Sequence, residues 1–205
     1  MKIDLILLAI IAGAIIFKLY NTMGKDLGDD FVQKEKIIDP IESEDVSEKD
    51  LALDSFPLQI QQSIKEMQKL EPGFSISKLL EKIEKVFEFT LEKLSKRDVA
   101  ELKPITSEKV FNQFNKIVEE LKEKNLFMNI TLLSVSDIKM EEFVVEGDVA
   151  RVTIKITSHQ MCFQQDENGR KIKGDKNQVE KKEDFWSFTK KIDNKNKIWI
   201  LEKTS

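Results

Sequence analysis

His159, Cys162 and Tyr20 are the chain's one histidine, one cysteine and one tyrosine, and they bound the chemistry open to it. An imidazole base needs a second group to orient it and an acceptor for its proton, and no such partner stands near His159 in the sequence. A structural or surface role is expected for it. Cys162 sits between Met161 and Phe163 in an apolar, strand-like run, which suits a buried small hydrophobe rather than a nucleophile. A single cysteine also forbids a disulfide within the chain, a pattern that fits a reducing compartment without requiring one. Tyr20 lies inside the apolar N-terminal stretch. The paired carboxylates Glu141/Glu142 and Asp166/Glu167 flank turns and read as solvated surface. The chain contains no CxxC, HExxH, Walker loop or dinucleotide-binding glycine fingerprint. The sequence therefore predicts no catalytic residue, no metal and no cofactor.

Binding is better represented. The late strands carry Met161, Phe163, Phe185, Trp186, Phe188 and Trp199, and alternation sends Trp186 and Phe188 to one face and Phe185 to the other. Most must be core. With Phe87, Phe111, Phe114 and His159, the set Met161, Phe163, Trp186 and Phe188 defines a candidate pocket between helices and sheet, which would suit a small apolar ligand or an isomerase-like reaction. A second candidate is the amphipathic stretch 58–70. Leu58, Ile60, Ile64 and Met67, with Phe74 beyond it, either pack on the domain or dock on lipid or a partner protein. A third is the basic tract Arg170, Lys171, Lys173, Lys176, Lys181 and Lys182, which reads first as a solvated hairpin.

These features must be positioned by a chain of 205 residues, 34% charged and with a net charge of −4, values that speak for folded protein and against bulk nucleic-acid binding. The charge is unevenly spread: residues 1–23 carry +1, 24–56 carry −7, 57–168 carry −3 and 169–205 carry +5. Leu5 to Phe17 is free of charge, and Ile3 to Tyr20 is interrupted only by Asp4 and Lys18. Eighteen helical residues reach about 27 Å, close to the ~30 Å hydrocarbon core. Asp4 offsets Lys2, and Tyr20-Asn21-Thr22-Met23 offers no cleavage site, so a retained transmembrane anchor over 1–23 is expected rather than a removed signal. The slight excess of lysine after the span puts the body on the cytoplasmic side. Residues 24–56 form an acidic linker too poor in apolar surface to offset its ordering entropy.

From 57 to 205 the pattern is that of one α+β domain. Ile60, Ile64 and Met67 mark a helix ended by Pro72-Gly73. Ser77 is placed to cap a second, with Leu79/Leu80, Ile83, Val86/Phe87, Thr90/Leu91 and Leu94 as its stripe. Val99 to Leu102 suggests a short turn before Pro104, and Thr106 or Ser107 opens a third helix through Val110/Phe111, Phe114, Ile117/Val118 and Leu121. After Asn125 the period becomes two. Strands are predicted over Leu126–Val135, Lys139–Val145, a long run containing Ala150, Val152, Ile154 and Ile156, then Phe185–Ile192 and Ile198–Leu201. Glu146-Gly147-Asp148 and Asn168-Gly169 are the sharpest turns. Helices first and strands after argue for helices packed on one face of a curved antiparallel sheet.

Several local motifs, in this order, are similar to a known family: Pro72-Gly73-Phe74, Glu146-Gly147-Asp148-Val149-Ala150-Arg151-Val152, Asn168-Gly169 followed by Gly174-Asp175, Asp184-Phe185-Trp186-Ser187-Phe188, and Trp199-Ile200-Leu201. With the anchor and acidic spacer they resemble the TimA adaptor family of α-proteobacteria, bacterial relatives of the mitochondrial inner-membrane import-motor scaffold, translocase subunit forty-four. The family's usual Trp-Thr-Phe-Glu-Arg strand reads Trp186-Ser187-Phe188-Thr189-Lys190 here, and basic residues after the anchor are fewer. The resemblance implies a cone-shaped sheet wrapped on helices, similar to nuclear transport factor two and the cystatins. It implies a non-enzymatic, single-pass scaffold of a bacterial inner membrane whose partners are the membrane itself, anionic lipid, and other membrane or translocating proteins.

Overall fold

The computed structural model describes residues 51–192 and 198–205. The expected anchor over 1–23 and the linker up to residue 50 lie outside the described residues. Among the described residues no helix is long and apolar enough to cross a membrane.

Three helices precede the sheet: α1 (Leu58–Leu70), α2 (Ile76–Ser95) and α3 (Glu108–Glu123). Each places one apolar stripe inward: Ile60, Ile64 and Met67 on α1; Ile76, Leu79, Ile83, Phe87 and Leu94 on α2; Val110, Phe114, Val118 and Leu121 on α3. The start of α2 differs from the sequence expectation. Ser75, not Ser77, is the cap: its side chain accepts from the Lys78 amide at 3.3 Å. Ser77 lies within the first turn, where its hydroxyl accepts from the Leu51 amide at 3.2 Å. α3 is capped by Ser107, one of the two residues expected. The two serine caps each satisfy an amide that the helix leaves without an internal partner.

The expected short turn is a 3-10 helix, Ala100–Ile105, which includes Pro104. The last turn of α2 closes through Arg97, whose φ of 54° lies in the left-handed region, and α3 closes through Asn125 at 51°. Asparagine tolerates that conformation locally. Arginine is held there by tertiary contacts, because its guanidinium donates to the Leu126 carbonyl at 3.2 Å and lies 3.8 Å from the Phe127 ring centroid.

The sheet is antiparallel, with strands β1 (Leu126–Glu146), β2 (Val149–Asp166), β3 (Lys171–Gly174), β4 (Glu180–Lys191) and β5 (Ile200–Thr204) in the order β1-β2-β4-β5, and with β3 on β2 beyond the end of β4. The two strands expected over 126–145 are one 21-residue strand. Its pairing with β2 slips at Leu132/Ser134, Val135/Asp137 and Met140/Glu142. Each bulge adds a residue that breaks the period of two in the sequence while the ladder continues. The slips also keep Leu132, Val135, Ile138, Met140 and Phe143 opposite Gln160, Ser158, Ile156, Ile154 and Val152, so one face stays turned to the helices.

β3 was not foreseen. It is four exposed residues long, and it closes on Gly174, where φ is +77° and a Cβ would stand 2.3 Å from the Cys162 carbonyl oxygen. Only glycine fits so near an adjacent backbone.

The helices pack on β1, with α3 also reaching β5. Their stripes meet Ala150, Val152, Ile154 and Ile156 of β2, Trp186 and Phe188 of β4, and Leu201 of β5 in one core. Leu53 and Phe56, counted with the linker by sequence, pack against this core.

Candidate functional site

The five residues expected to contact membrane or partner divide sharply. Ile64 and Met67 have no solvent exposure, Ile60 and Phe74 are nearly as deep, and the Phe74 ring stacks on Phe143 at 5.6 Å. Leu58 alone stands out, 76% exposed. The stripe of α1 is thus spent on the sheet, and lipid contact through that face would require the helix to leave its own domain. An ion pair opposes this. Glu71, the residue that ends α1, meets Lys190 of β4 at 2.5 Å, and Lys190 is only 4% exposed although it stands on the helix-facing side of the sheet.

The eight pocket residues are not brought together. Phe87, Phe114, Trp186 and Phe188 fill the core. Phe87 meets Trp186 edge-on with centroids 5.0 Å apart, and Trp186 lies 6.2 Å from Phe188. Such aromatic pairs contribute about 1 kcal/mol each beyond area burial. Phe111 is half-buried beside the Lys103 ammonium. His159, Met161 and Phe163 occupy the odd positions of β2, which alternation turns away from the helices. The Nδ1 atom of His159 lies 3.5 Å from the Ser134 hydroxyl on the neighbouring strand. The physical reason for the separation is the strand period itself: even positions went to the core and the histidine is odd.

One polar group sits on the helix-facing side of β2 and β4, past the aromatic core. Ser158 and Gln160 are buried and joined by a 2.7 Å hydrogen bond. Burial pushes the Asp184 carboxyl up to about 6, a rise that the Lys182 ammonium only partly offsets. Burial likewise raises the Cys162 thiol, against the influence of Lys182, a shift that favours the protonated form. Sequence reasoning missed Asp184. Its signal was its even position in β4, in phase with Trp186 and Phe188. His159 stands at an odd position of β2, on the opposite face of the sheet from Asp184, so the imidazole and this carboxyl are not assembled into one site.

The surface is more open along the seam between α2 and β1. Near its first turns, α2 sets Leu80, Glu81 and Glu84 against Val135, Asp137 and Ile138. Farther on it sets Glu88, Leu91 and Glu92 against Ile130 and Leu132. These two shallow hollows lie one behind the other along β1, the end strand of the sheet among the described residues. At the closed end of the seam, the Ser95 hydroxyl donates to the Met128 carbonyl and accepts from the Ile130 amide.

Helices covering one face of a bulged antiparallel sheet, their apolar stripes joined with the strands in one core among the described residues, define an α+β domain. Residues 60–205 match the family model described as the Tim44-like domain, and the chain belongs to that family. No curated protein matches it in sequence. Among solved structures, the intermembrane-space region of the chloroplast protein ARC6 is similar at 12% identity and a TM-score of 0.43, over 62% of this chain and 94% of that one.

Proposed function

We propose that this protein is a membrane-tethered, non-enzymatic adaptor that presents its Tim44-like domain to partner proteins and to lipid at a bacterial inner membrane. Tim44-like domains serve as scaffolds in translocase-type systems, which supports protein transport or assembly as the setting. The observation that carries the reading is the filled interior. Phe87, Trp186 and Phe188 pack where a pocket would have to open, so the domain's working area is its outside. The apolar stretch from Leu5 to Phe17 supplies the tether, and the acidic stretch after it supplies reach. Tethering raises the local concentration of the domain, so weak surface contacts suffice for recruitment.

The test has two arms. Alkaline carbonate should leave the intact protein in the membrane pellet of its native cells, and crosslinking in those membranes should capture defined protein partners through residues 57–205. Release into the carbonate supernatant would end the tether, and an intact domain that crosslinks to nothing would end the adaptor.

A further inference from the structure

We infer that the seam between α2 and the free edge of β1 docks an extended, lysine- or arginine-bearing segment of a partner protein. This surface rests on the adaptor reading and gives it a place on the molecule and a partner chemistry.

Three observations converge there. First, among the described residues β1 ends the sheet and pairs only with β2, so its outer edge offers backbone donors and acceptors to an added strand. Among the described residues, Ser95 and Arg97 occupy that edge at its start, at Leu126, Met128 and Ile130. Beyond them lies Leu133, the extra residue of the first bulge and 49% exposed. Second, the floor of the seam is apolar, with Leu80, Leu91, Leu132 and Val135 packed against the core but still partly open to solvent. Third, the α2 lip is acidic. Glu81, Glu84, Glu88 and Glu92 follow one another at helical spacing, on the face beside the one that Leu79, Ile83, Phe87 and Thr90 bury. Lys85 and Lys96 make close ion pairs with Glu81 and Glu92, whereas Glu84 and Glu88 make none within 4.0 Å among the described residues and share only the longer-range field of Lys85.

The charge selects the occupant. The chain's own linker carries −7 over residues 24–56 and would be repelled by this lip. An anionic lipid surface would be repelled likewise, and a second copy in two-fold pairing would set the same glutamates against each other. A cationic segment gains attraction at the lip, backbone hydrogen bonds at the edge and apolar contact between them.

The probe is a fluorescent ten-residue peptide of alternating lysine and valine, titrated into the full-length protein in mild detergent, with a glutamate–valine peptide as reference. The lysine peptide should bind, weaken as salt rises, and slow hydrogen exchange in residues 130–138. Glu84→Lys/Glu88→Lys should lower its affinity roughly tenfold or more, and Leu133→Pro should abolish the exchange protection by blocking strand addition. Should the double lysine variant fail to fold, Glu84→Gln/Glu88→Gln serves, with a loss of several-fold expected. Equal affinity in a folded charge variant, equal binding of the glutamate peptide, or protection confined to other strands would overturn the seam. If crosslinking in native membranes captures the same partners from parent and variant, the seam is wrong while the adaptor stands.

Discussion

The carboxylate of Glu71 and the ammonium of Lys190 meet at 2.5 Å across the inner side of the sheet, joining the end of the first helix to the fourth strand. Lys190 is buried, 4% exposed, and has Glu71, itself 37% exposed, as its counter-charge. Removing one partner leaves a buried charge uncompensated, whereas replacing both with apolar groups removes the desolvation cost as well. Glu71→Ala should therefore destabilise the domain by about 2–3 kcal/mol, the partial exposure of Glu71 reducing the usual penalty. Glu71→Leu/Lys190→Met should return to within about 1 kcal/mol of the parent. Urea unfolding midpoints at constant slope measure both, and a single variant as stable as the parent would remove the pair from the account of how α1 is held.

The burial of Ile64 turns a membrane-contact hypothesis into a stability one. Ile64→Ala should cost about 2–5 kcal/mol through lost burial and a residual cavity. Leu58→Ser, at a side chain already 76% exposed, should leave the unfolding midpoint unchanged. If Ile64→Ala leaves the midpoint in place, α1 is not packed as described.

Asp184 makes a signed prediction about pH. Its carboxyl titrates at about 6 in the fold against 3.8 when unperturbed, so the folded state holds a proton that the unfolded state has released. Between those values the folded state binds more protons, and this group's contribution to stability falls as pH rises from about 4 to 6. Asp184→Asn should flatten that part of the profile. It should also raise stability at pH 7 relative to pH 4, by an amount on the order of 2 kcal/mol. Parallel pH profiles for parent and variant would count against a buried carboxyl here.

The two serines at the start of α2 are separable. Ser75→Ala should cost about 1 kcal/mol, as loss of an N-cap does. Ser77→Ala removes the exposed contact to the Leu51 amide, not the cap, and should cost less than Ser75→Ala. The reverse order in thermal unfolding would move the cap to Ser77.

Much of this architecture was legible because its signals are local. The stripes of α1, α2 and α3 repeat at helical spacing with turn residues at their ends, and Glu146-Gly147-Asp148 turns β1 into β2 with Gly147 at φ +59°. The resemblance likewise rested on motifs several residues long, and the family match spans the domain that carries them. Distinguishing Ser75 from Ser77 as the cap took more than pattern, since both precede the same stripe and only the backbone shows which hydroxyl meets the Lys78 amide.

By itself, then, the sequence determined the class of the domain, its family and the inward faces of its helices, because periodicity acts between residues three or four apart, or two apart in a strand. What tertiary structure alone decided was which of those faces remained available. Ile60, Ile64 and Met67 have the same spacing whether they meet lipid or β1, and only the packed chain puts the sheet against them. The phase of β2 relative to the helices was equally silent until pairing fixed it, sending His159 outward while β4 carried Asp184 inward. Long-range pairing also joined 126–146 into one edge strand, since a bulge erases the local alternation but not the hydrogen-bonded ladder.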